Sequence, residues 1–409
     1  MKQRSPLFQR SIFALLTSEV ISSIGSQMTF LAIPWFVLIT TGSTTRMGVV
    51  LAAELLPIAL FGIPSGSVVS RLGARRTMLV CDLARVPVMA AIPLLHSAGM
   101  LSFGLLLVLV FLLGMFGAPH FSAQRLVLPE LVGEDPAVVT QANALVETAS
   151  RLTILLGPVI AGVLIASIGA ANVLYVDAAT FAVSFLILLI FVPKRPPLPR
   201  SDDGRGLFAG LRFVFDDPLL RPLLLTVVFL HMFAQSIIVA LPVLAFDHYG
   251  ADARTAGLLF GAWGAGSIIG SVAAIPLAKR MSPLTQATIG VVWVSAPLML
   301  LGLALPAVGA MGVLFASGLG AVASAPMMAL FTTRAPGHLR AKVMTAMITV
   351  VTISGPFAVL ALGRLLESFD VRAILFTLGV GRILMAALFI FVVRRAGSAL
   401  PREVEQAVA

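Results

Sequence analysis

The sequence predicts an all-α integral membrane protein with twelve transmembrane helices in two pseudo-symmetric six-helix bundles. Three observations lead to this prediction: 59% of the 409 residues are hydrophobic, only 11% are charged, and the hydrophobic residues form long stretches. An ordinary globular domain has about 25% charged residues, so this composition, with a mean hydropathy of +1.03, excludes a soluble globular protein. A helix that crosses a bilayer needs about 20 mostly apolar residues, and these stretches have that length.

Twelve apolar stretches, separated by charged residues or by Pro and Gly, each predict one helix. The first follows a basic N-terminus as a signal peptide would, but it is too long and lacks a clear small-residue cleavage site, so we expect it to remain as helix one. The predicted helices cover residues 11–39, 47–69, 77–96, 101–122, 138–168, 171–192, 220–246, 255–277, 285–305, 308–331, 342–366 and 373–393.

Basic residues are divided unequally between the two sides that twelve crossings create. The N-terminus, the even-numbered loops and the C-terminus carry 21 Lys and Arg residues, whereas the odd-numbered loops carry three, Arg46, Arg254 and Arg372. Basic residues collect on the cytoplasmic side, so we expect a multi-pass protein of a bacterial-type cytoplasmic membrane with both termini in the cytoplasm. Topology and contact with membrane lipids then explain the net charge of +10, and no nucleic-acid partner is expected.

The longest polar segment divides the predicted helices six and six. The predicted organisation is an N-terminal bundle over residues 1–193, a cytoplasmic linker over 194–218, and a C-terminal bundle with a short cytoplasmic tail over 219–409. The fifth helix contains Gly157-Pro158 and the eleventh contains Gly355-Pro356, at matching depths within their halves. This correspondence favours an internal repeat of the kind found in many transporters.

A segment rich in glycine and arginine, GSVVSRLGARR, connects the second and third helices. Its first glycine, Gly66, is expected to permit close helix approach, and Gly73 to form a tight turn. The segment resembles the signature of the major facilitator superfamily, which has a Gly, an Asp four residues later, and then Arg, Gly and a basic pair. Ser70 stands in place of that Asp. The resemblance implies a cytoplasmic gate that includes Gly66, Arg71, Gly73, Arg75 and Arg76.

The missing aspartate removes the gating salt bridge of the family. Asp82 and Arg85 lie one helical turn apart near the start of helix three, and we expect them to supply another ion pair at this gate. The resemblance covers nearly the whole chain and implies two six-helix halves that rock about a binding site at the midplane.

A second motif, GPVIAG, occupies the fifth helix and resembles a reduced form of the motif that marks exporters in this superfamily. Its candidate residues are Gly157, Pro158 and Gly162, while Thr153 and Ala149 replace upstream glycines of the fuller pattern. Other segments resemble the drug/proton antiporter branch that includes macrolide effluxers and siderophore exporters; they are residues 121–125, 128–132, 141–143 and 206–221. The export direction is an implication of this resemblance.

Several charged residues lie within the predicted helices. Each costs about 2.5–3.5 kcal/mol near the bilayer centre on insertion scales, and so needs a partner, a water-lined cavity or a proton. We expect Glu19 or Glu147 to take up a proton when substrate leaves, with Arg151, one turn from Glu147, favouring the ionised carboxylate. For Glu147 and Arg151 the alternative is a buried ion pair that fixes helix packing.

The remaining intramembrane charges have less specific interpretations. Glu54 and Asp177 lie nearer the predicted outer surface and are expected to be polar groups that reach water. Arg382 in helix twelve is expected to be structural, with no partner identifiable from its spacing.

Four polar or aromatic residues are candidates for lining a substrate cavity: Gln27, His231, Gln235 and Trp263. His231 and Gln235 share one face of helix seven, although a hydrogen-bonded packing role is the alternative for the histidine. The five histidines show no paired ligand spacing and the chain has a single cysteine, so neither a metal site nor a cofactor is expected.

The sequence contains no nucleotide-binding Gly-x-x-x-x-Gly-Lys-Ser/Thr motif, so transport energy must come from a gradient. We expect a secondary active transporter, and not an enzyme, that exports small amphipathic or cationic molecules against protons by alternating access, as in multidrug or macrolide-type efflux. The alternatives are a dedicated exporter of an endogenous siderophore or lipid, and, from another class, a membrane-embedded enzyme or receptor. The expected partners are a small-molecule substrate, protons and membrane lipids, with the monomer as the functional unit.

Overall fold

A computed structural model describes residues 10–132, 136–194, 207–218, 220–336 and 339–397. These residues form helices, turns and short connections, and no strand occurs among them. Much of the predicted linker, residues 195–206, and the C-terminal tail from residue 398 lie outside the described residues.

Fourteen α-helices follow one another within the described residues. They are α1 (Arg10–Thr41), α2 (Thr44–Leu72), α3 (Ala74–Ser97), α4 (Phe103–Val132), α5 (Pro136–Ile168), α6 (Ala170–Phe191), α7 (Leu207–Asp216), α8 (Leu220–His248), α9 (Ala253–Ala278), α10 (Pro283–Ser295), α11 (Ala307–Gly318), α12 (Ser324–Arg334), α13 (Arg340–Leu365) and α14 (Val371–Gly397).

Twelve membrane spans can be recognised in the described residues by length and apolarity. Helices α1–α6, α8, α9, α13 and α14 each provide one, while the other two combine α-helix with 3₁₀ helix. The prediction of an all-α membrane protein with twelve transmembrane helices is therefore confirmed. The short amphipathic helix α7 follows the undescribed part of the predicted linker.

The ninth span changes its helix type partway along. Its helix α10 begins after Ser282, whose hydroxyl caps the helix by accepting the N–H of Thr285. Pro297 has no N–H to donate, and its ring conflicts with the carbonyl four residues earlier. The α-helix therefore ends at Ser295 and the chain continues as a 3₁₀ helix, Ala296–Gly302.

The chain divides into two compact units. The first comprises Met1–Ser201 together with Ala251–Gly257, and the second comprises Asp202–Gly250 together with Leu258–Ala409. In the first unit α1 packs against α5 and α6, α2 against α4, and α3 against α4 and α6. In the second, α13 packs against α7 and α8, and α14 packs against α8 and the 3₁₀ segment after α10.

The two glycines of the segment between α2 and α3 behave differently. Gly73 adopts φ +83°, and its N–H donates to the carbonyl of Val69 at 2.8 Å, so the chain reverses in the tight turn that the sequence predicts. Gly66 does not mediate the predicted close approach. A Cβ atom there would meet nothing within 4 Å, because this residue lies on an open face of α2.

Candidate functional site

A cluster of polar side chains lies buried inside the first unit, centred on Asp82 of α3. The carboxylate of Asp82 is fully buried. Its Oδ1 atom lies 3.1 Å from Nη2 of Arg85, one turn along the same helix, and 3.1 Å from Nε2 of His120 on α4. Its Oδ2 atom accepts the hydroxyl of Ser184 on α6 at 2.7 Å. Three helices thus provide partners for a single carboxylate.

Asp82 and Arg85 form the ion pair that their spacing predicts. The pair lies buried among α3, α4 and α6, and its part in a cytoplasmic gate stays a prediction. Asp82 is eight residues beyond Ala74, where α3 begins, which corresponds to about 12 Å. The guanidinium of Arg85 also stacks on the ring of Phe181, 4.4 Å from its centroid, so its charge is held inside the unit.

Glu19 of α1 is the acidic residue beside this cluster. It is 7% exposed, and its Oε2 atom is buried without a hydrogen-bond partner in the described part of the chain. Its carboxyl group lies close enough to His120, Asp82 and Arg85 to interact with them electrostatically. A carboxyl group with one unsatisfied oxygen, surrounded by both signs of charge, can exist with or without a proton.

The sequence pattern did not identify His120 as part of this site. Sequence spacing indicates metal ligands and partners along one helix, whereas His120 meets Asp82 through the packing of α4 on α3. One signal was available in the sequence: His120 directly follows residues 103–119, a long stretch without charge. An ionisable side chain at the end of such a stretch is itself a reason to consider function.

A second buried acid, Asp177 of α6, lies between α6 and α1. It is fully buried, which corrects the expectation that it reaches water. Thr29 donates its hydroxyl to Oδ2 at 2.5 Å and Thr180 donates to Oδ1 at 3.0 Å, so threonine hydroxyls take the place of solvent. Glu54 on α2 is half-buried, and its Oε2 atom is buried without a hydrogen-bond partner in the described residues, so this carboxyl also does not reach water freely.

Glu147 and Arg151 form an ion pair of 2.9 Å on α5, separate from the Asp82 cluster. Their side chains are 65% and 37% exposed, respectively. The alternative of a buried pair that fixes helix packing is therefore corrected: the pair lies on the protein surface. Glu147 is less constrained than Glu19, because its side chain is exposed and Glu19 is buried.

The arginines of the predicted gate have unequal environments. Arg75, in the first turn of α3, donates from Nε to the carbonyl of Val192 at 2.5 Å and from Nη2 to that of Leu189 at 2.9 Å, which joins the start of α3 to the end of α6. Cations favourably meet carbonyl groups at a helix C-terminus. Arg71 and Arg76 are exposed. Their part in a gate stays a prediction.

The exporter-type motif on α5 forms two close backbone contacts within the first unit. A Cβ atom at Gly157 would collide with Gln27 of α1, so this motif glycine and the cavity candidate Gln27 are direct neighbours. A Cβ atom at Gly162 would lie 2.6 Å from the carbonyl oxygen of Ala253. Pro158 is buried between these positions. Only a residue without a side chain fits at either glycine.

The remaining candidates lie in the second unit. His231 and Gln235 are half-buried on α8, and Trp263 of α9 is 37% exposed. Arg382 of α14 is 6% exposed, and its Nε atom has no hydrogen-bond partner in the described residues. Among those residues, no group of three His, Cys, Asp or Glu side chains is arranged to hold a metal ion.

Comparison with known proteins identifies the family of this chain. The model of the Major Facilitator Superfamily matches residues 15–359 and 223–409. The chain belongs to the Major Facilitator Superfamily and is a multi-pass membrane transporter rather than an enzyme.

The curated relatives include exporters. The chain is 26% identical over 406 residues to the multidrug efflux pump Tap of Mycolicibacterium fortuitum, covering 96% of this chain and 97% of that protein. It is 32% identical over 171 residues to the enterobactin exporter EntS of Escherichia coli O1:K1 / APEC, covering 42% and 40% of the two chains.

Solved structures share the fold at low sequence identity. The nucleoside transporter NupG (D323A mutant) matches with a TM-score of 0.78 at 11% identity, covering 93% of this chain and 99% of that one. A bacterial homologue of the human lysosomal transporter Spinster matches with a TM-score of 0.75 at 14% identity, covering 96% and 98%.

Proposed function

We propose that this transporter exports small amphipathic or cationic molecules in exchange for protons, by alternating access. The observation that carries the proposal is Glu19, a buried carboxyl group with an unsatisfied oxygen beside the Asp82 cluster. The likeness to the multidrug efflux pump Tap, over nearly the full length of both chains, supports export and a broad substrate range.

The proton step follows from the surroundings of Glu19. When the carboxyl is ionised, the nearby positive charge of Arg85 favours it, while Asp82 opposes it. When it is protonated, the cost of burying its negative charge is removed. Substrate arrival or departure near α1 shifts the balance between these two forms, and this shift couples the proton to transport.

The proposal also includes the arrangement of the chain in the membrane. In this proposal both termini lie in the cytoplasm of a bacterial-type cell, which the excess of basic residues in the even-numbered loops supports. The two six-helix bundles, over residues 1–193 and 219–409, rock relative to each other during transport. The exposed Arg71 and Arg76 contact the anionic cytoplasmic leaflet. A single chain supplies every element of this mechanism.

Transport into inverted membrane vesicles tests the proton step. Fluorescent lipophilic cations are added with an imposed proton gradient, with or without an uncoupler, and Glu19→Gln is compared with the intact chain. We expect gradient-driven accumulation to fall at least tenfold in the variant, whereas exchange of labelled for unlabelled substrate without a gradient continues, because glutamine mimics the protonated acid. Glu147→Gln is the matched control, since its exposed carboxylate lies outside the cluster.

Two results would contradict the assignment. Unchanged gradient-driven accumulation in Glu19→Gln would exclude Glu19 as the coupling residue. Equal loss in Glu147→Gln would transfer the coupling role to α5.

The second candidate is export of one endogenous siderophore or lipid. The partial match to the enterobactin exporter EntS favours it over other dedicated substrates. This candidate would be favoured if the folded protein accumulates none of the cations and the same vesicles transport a catecholate siderophore.

A further inference from the structure

Arg382 is a positive charge at the centre of a membrane span in the second unit. It lies 11 residues after Val371 and 10 residues before Val392, the two ends of the twelfth span, which places it about 16 Å and about 15 Å from them. Such a charge is costly unless a partner, water or a counter-ion compensates it.

The side chain of Arg382 is directed into the helix bundle. The buried residues of α14 form one stripe along the helix, which includes Leu375, Arg382, Ala386 and Phe389. The spacing of three, four and seven residues places them on a single helical face. The last two belong to the apolar core of the second unit, so Arg382 lies on the face that packs inward.

No protein group compensates this charge in the described residues. The Nε atom of Arg382 is buried without a hydrogen-bond partner, and none of the ion pairs among the described residues includes Arg382. The sequence explains why: between residues 220 and 392, the Asp and Glu residues are Asp247, Asp252, Glu367 and Asp370. All four lie at or beyond the ends of the spans, and the nearest along α14, Asp370, is about 18 Å away along the helix axis.

We propose that Arg382 binds an anionic group from a ligand, most simply a carboxylate. A guanidinium presents a planar fork of N–H donors that matches a carboxylate and is always charged. The bound group is either a carboxylate carried by the transported molecule or a free anion such as chloride. The inference rests on the proposed transport of small organic molecules. It narrows the substrates to molecules that carry an anionic group beside an amphipathic or cationic body.

Equilibrium binding to the purified full-length transporter in nanodiscs tests this site without any proton gradient. The probes are rhodamine 110, which carries a free carboxylate, and rhodamine 123, its methyl ester, followed by fluorescence anisotropy. We expect the carboxylate form to bind about tenfold more tightly. Arg382→Gln should remove this difference, and Arg382→Lys should retain part of it. Arg364→Gln is the control, because it removes an exposed positive charge from the same unit.

A second measurement covers the free anion and any variant that is unstable. Thermal unfolding is followed while sodium chloride replaces sodium HEPES at constant ionic strength, because a ligand of the folded state raises the unfolding temperature. A chloride-dependent rise that Arg382→Gln abolishes supports the site with a free anion as its occupant. The inference is overturned if the intact protein neither distinguishes the two rhodamines nor responds to chloride, or if Arg382→Gln retains both responses. Failure of proton coupling in Glu19→Gln vesicles would leave this binding result unchanged, so the two proposals fail separately.

Discussion

The Nε2 atom of His120 lies 3.1 Å from Oδ1 of Asp82 and joins α4 to α3 inside the first unit. The same oxygen also pairs with the guanidinium of Arg85, and Oδ2 accepts a hydrogen bond from the hydroxyl of Ser184 on α6. Because its partners come from three helices, the charge of the Asp82 carboxylate contributes to the packing of these helices. The first two predictions concern these contacts.

Replacing the central carboxylate should strongly destabilise the transporter. Asp82→Asn leaves the buried Arg85 without its counter-charge, and loss of one partner of a buried ion pair costs about 3–5 kcal/mol. Thermal unfolding in detergent measures the change. The double variant Asp82→Asn/Arg85→Gln should lose less stability than the two single changes together, because it removes both charges. Additive losses would show that the two residues do not act as a pair.

Removing the imidazole should alter the pH dependence of transport. His120→Asn takes away a titratable neighbour of Glu19 and Asp82. We expect the pH profile of gradient-driven accumulation to flatten, with at most a few-fold loss at the optimum. His96→Asn is the control, since His96 is exposed and packs edge-on against Phe36. A profile that matches the unaltered protein would remove His120 from the proton step.

A methyl group at the exporter-type motif should impair the protein, whereas one at the gate motif should not. Gly157→Ala places a Cβ atom against Gln27 of α1, and overpacking of this kind costs about 1–3 kcal/mol. Gly66→Ala places its Cβ atom in open space. We therefore expect Gly157→Ala to lower both the unfolding temperature and the transport rate. Equal behaviour of the two variants would contradict the close contact between α1 and α5.

Acid should weaken the start of α14 through Asp370, which lies outside the membrane spans. Partial burial raises its pKa, but N–H groups of Arg372 and Ala373 and the His248 ring, 3.4 Å away, together hold the pKa below its usual value. Stability from a lowered carboxyl pKa is present above the unfolded-state pKa and is lost as the pH falls through the folded-state pKa.

Asp370→Asn should therefore reduce the loss of stability on acidification. The Asp370 side chain is 57% exposed, so solvent screening limits the effect to less than about 1 kcal/mol. Unfolding temperatures measured between pH 7 and pH 3 compare the two proteins. A parallel pH dependence would show that Asp370 does not contribute.

The membrane spans could be predicted from the sequence because apolar length is a local property. The charged residues Glu19, Asp82 and Asp177 could also be selected, since each interrupts an apolar stretch. Their partners could not, because helix packing brings His120 to Asp82 and Thr29 to Asp177 across 38 and 148 positions of the chain.

The rotation of each helix about its axis also could not be predicted from the spacing of residues in the sequence. Glycine composition alone could not distinguish Gly157, which faces another helix, from Gly66, which faces open space. Glu147 was placed correctly with Arg151 by their four-residue spacing, but the exposure of the pair depends on how α5 is turned.

The change of helix type at Pro297 affects how the ninth span fits the bilayer. This span, Thr285–Gly302, has 18 residues in the described part of the chain, and seven of them form the 3₁₀ helix. A 3₁₀ helix rises about 2.0 Å per residue and an α-helix about 1.5 Å. The stretch from Thr285 to Ser295 therefore rises about 16 Å and the 3₁₀ segment adds about 14 Å, together close to the hydrocarbon thickness of about 30 Å. For the same number of residues, the seven-residue 3₁₀ segment that includes Pro297 makes this span about 3–4 Å longer than a continuous α-helix would be.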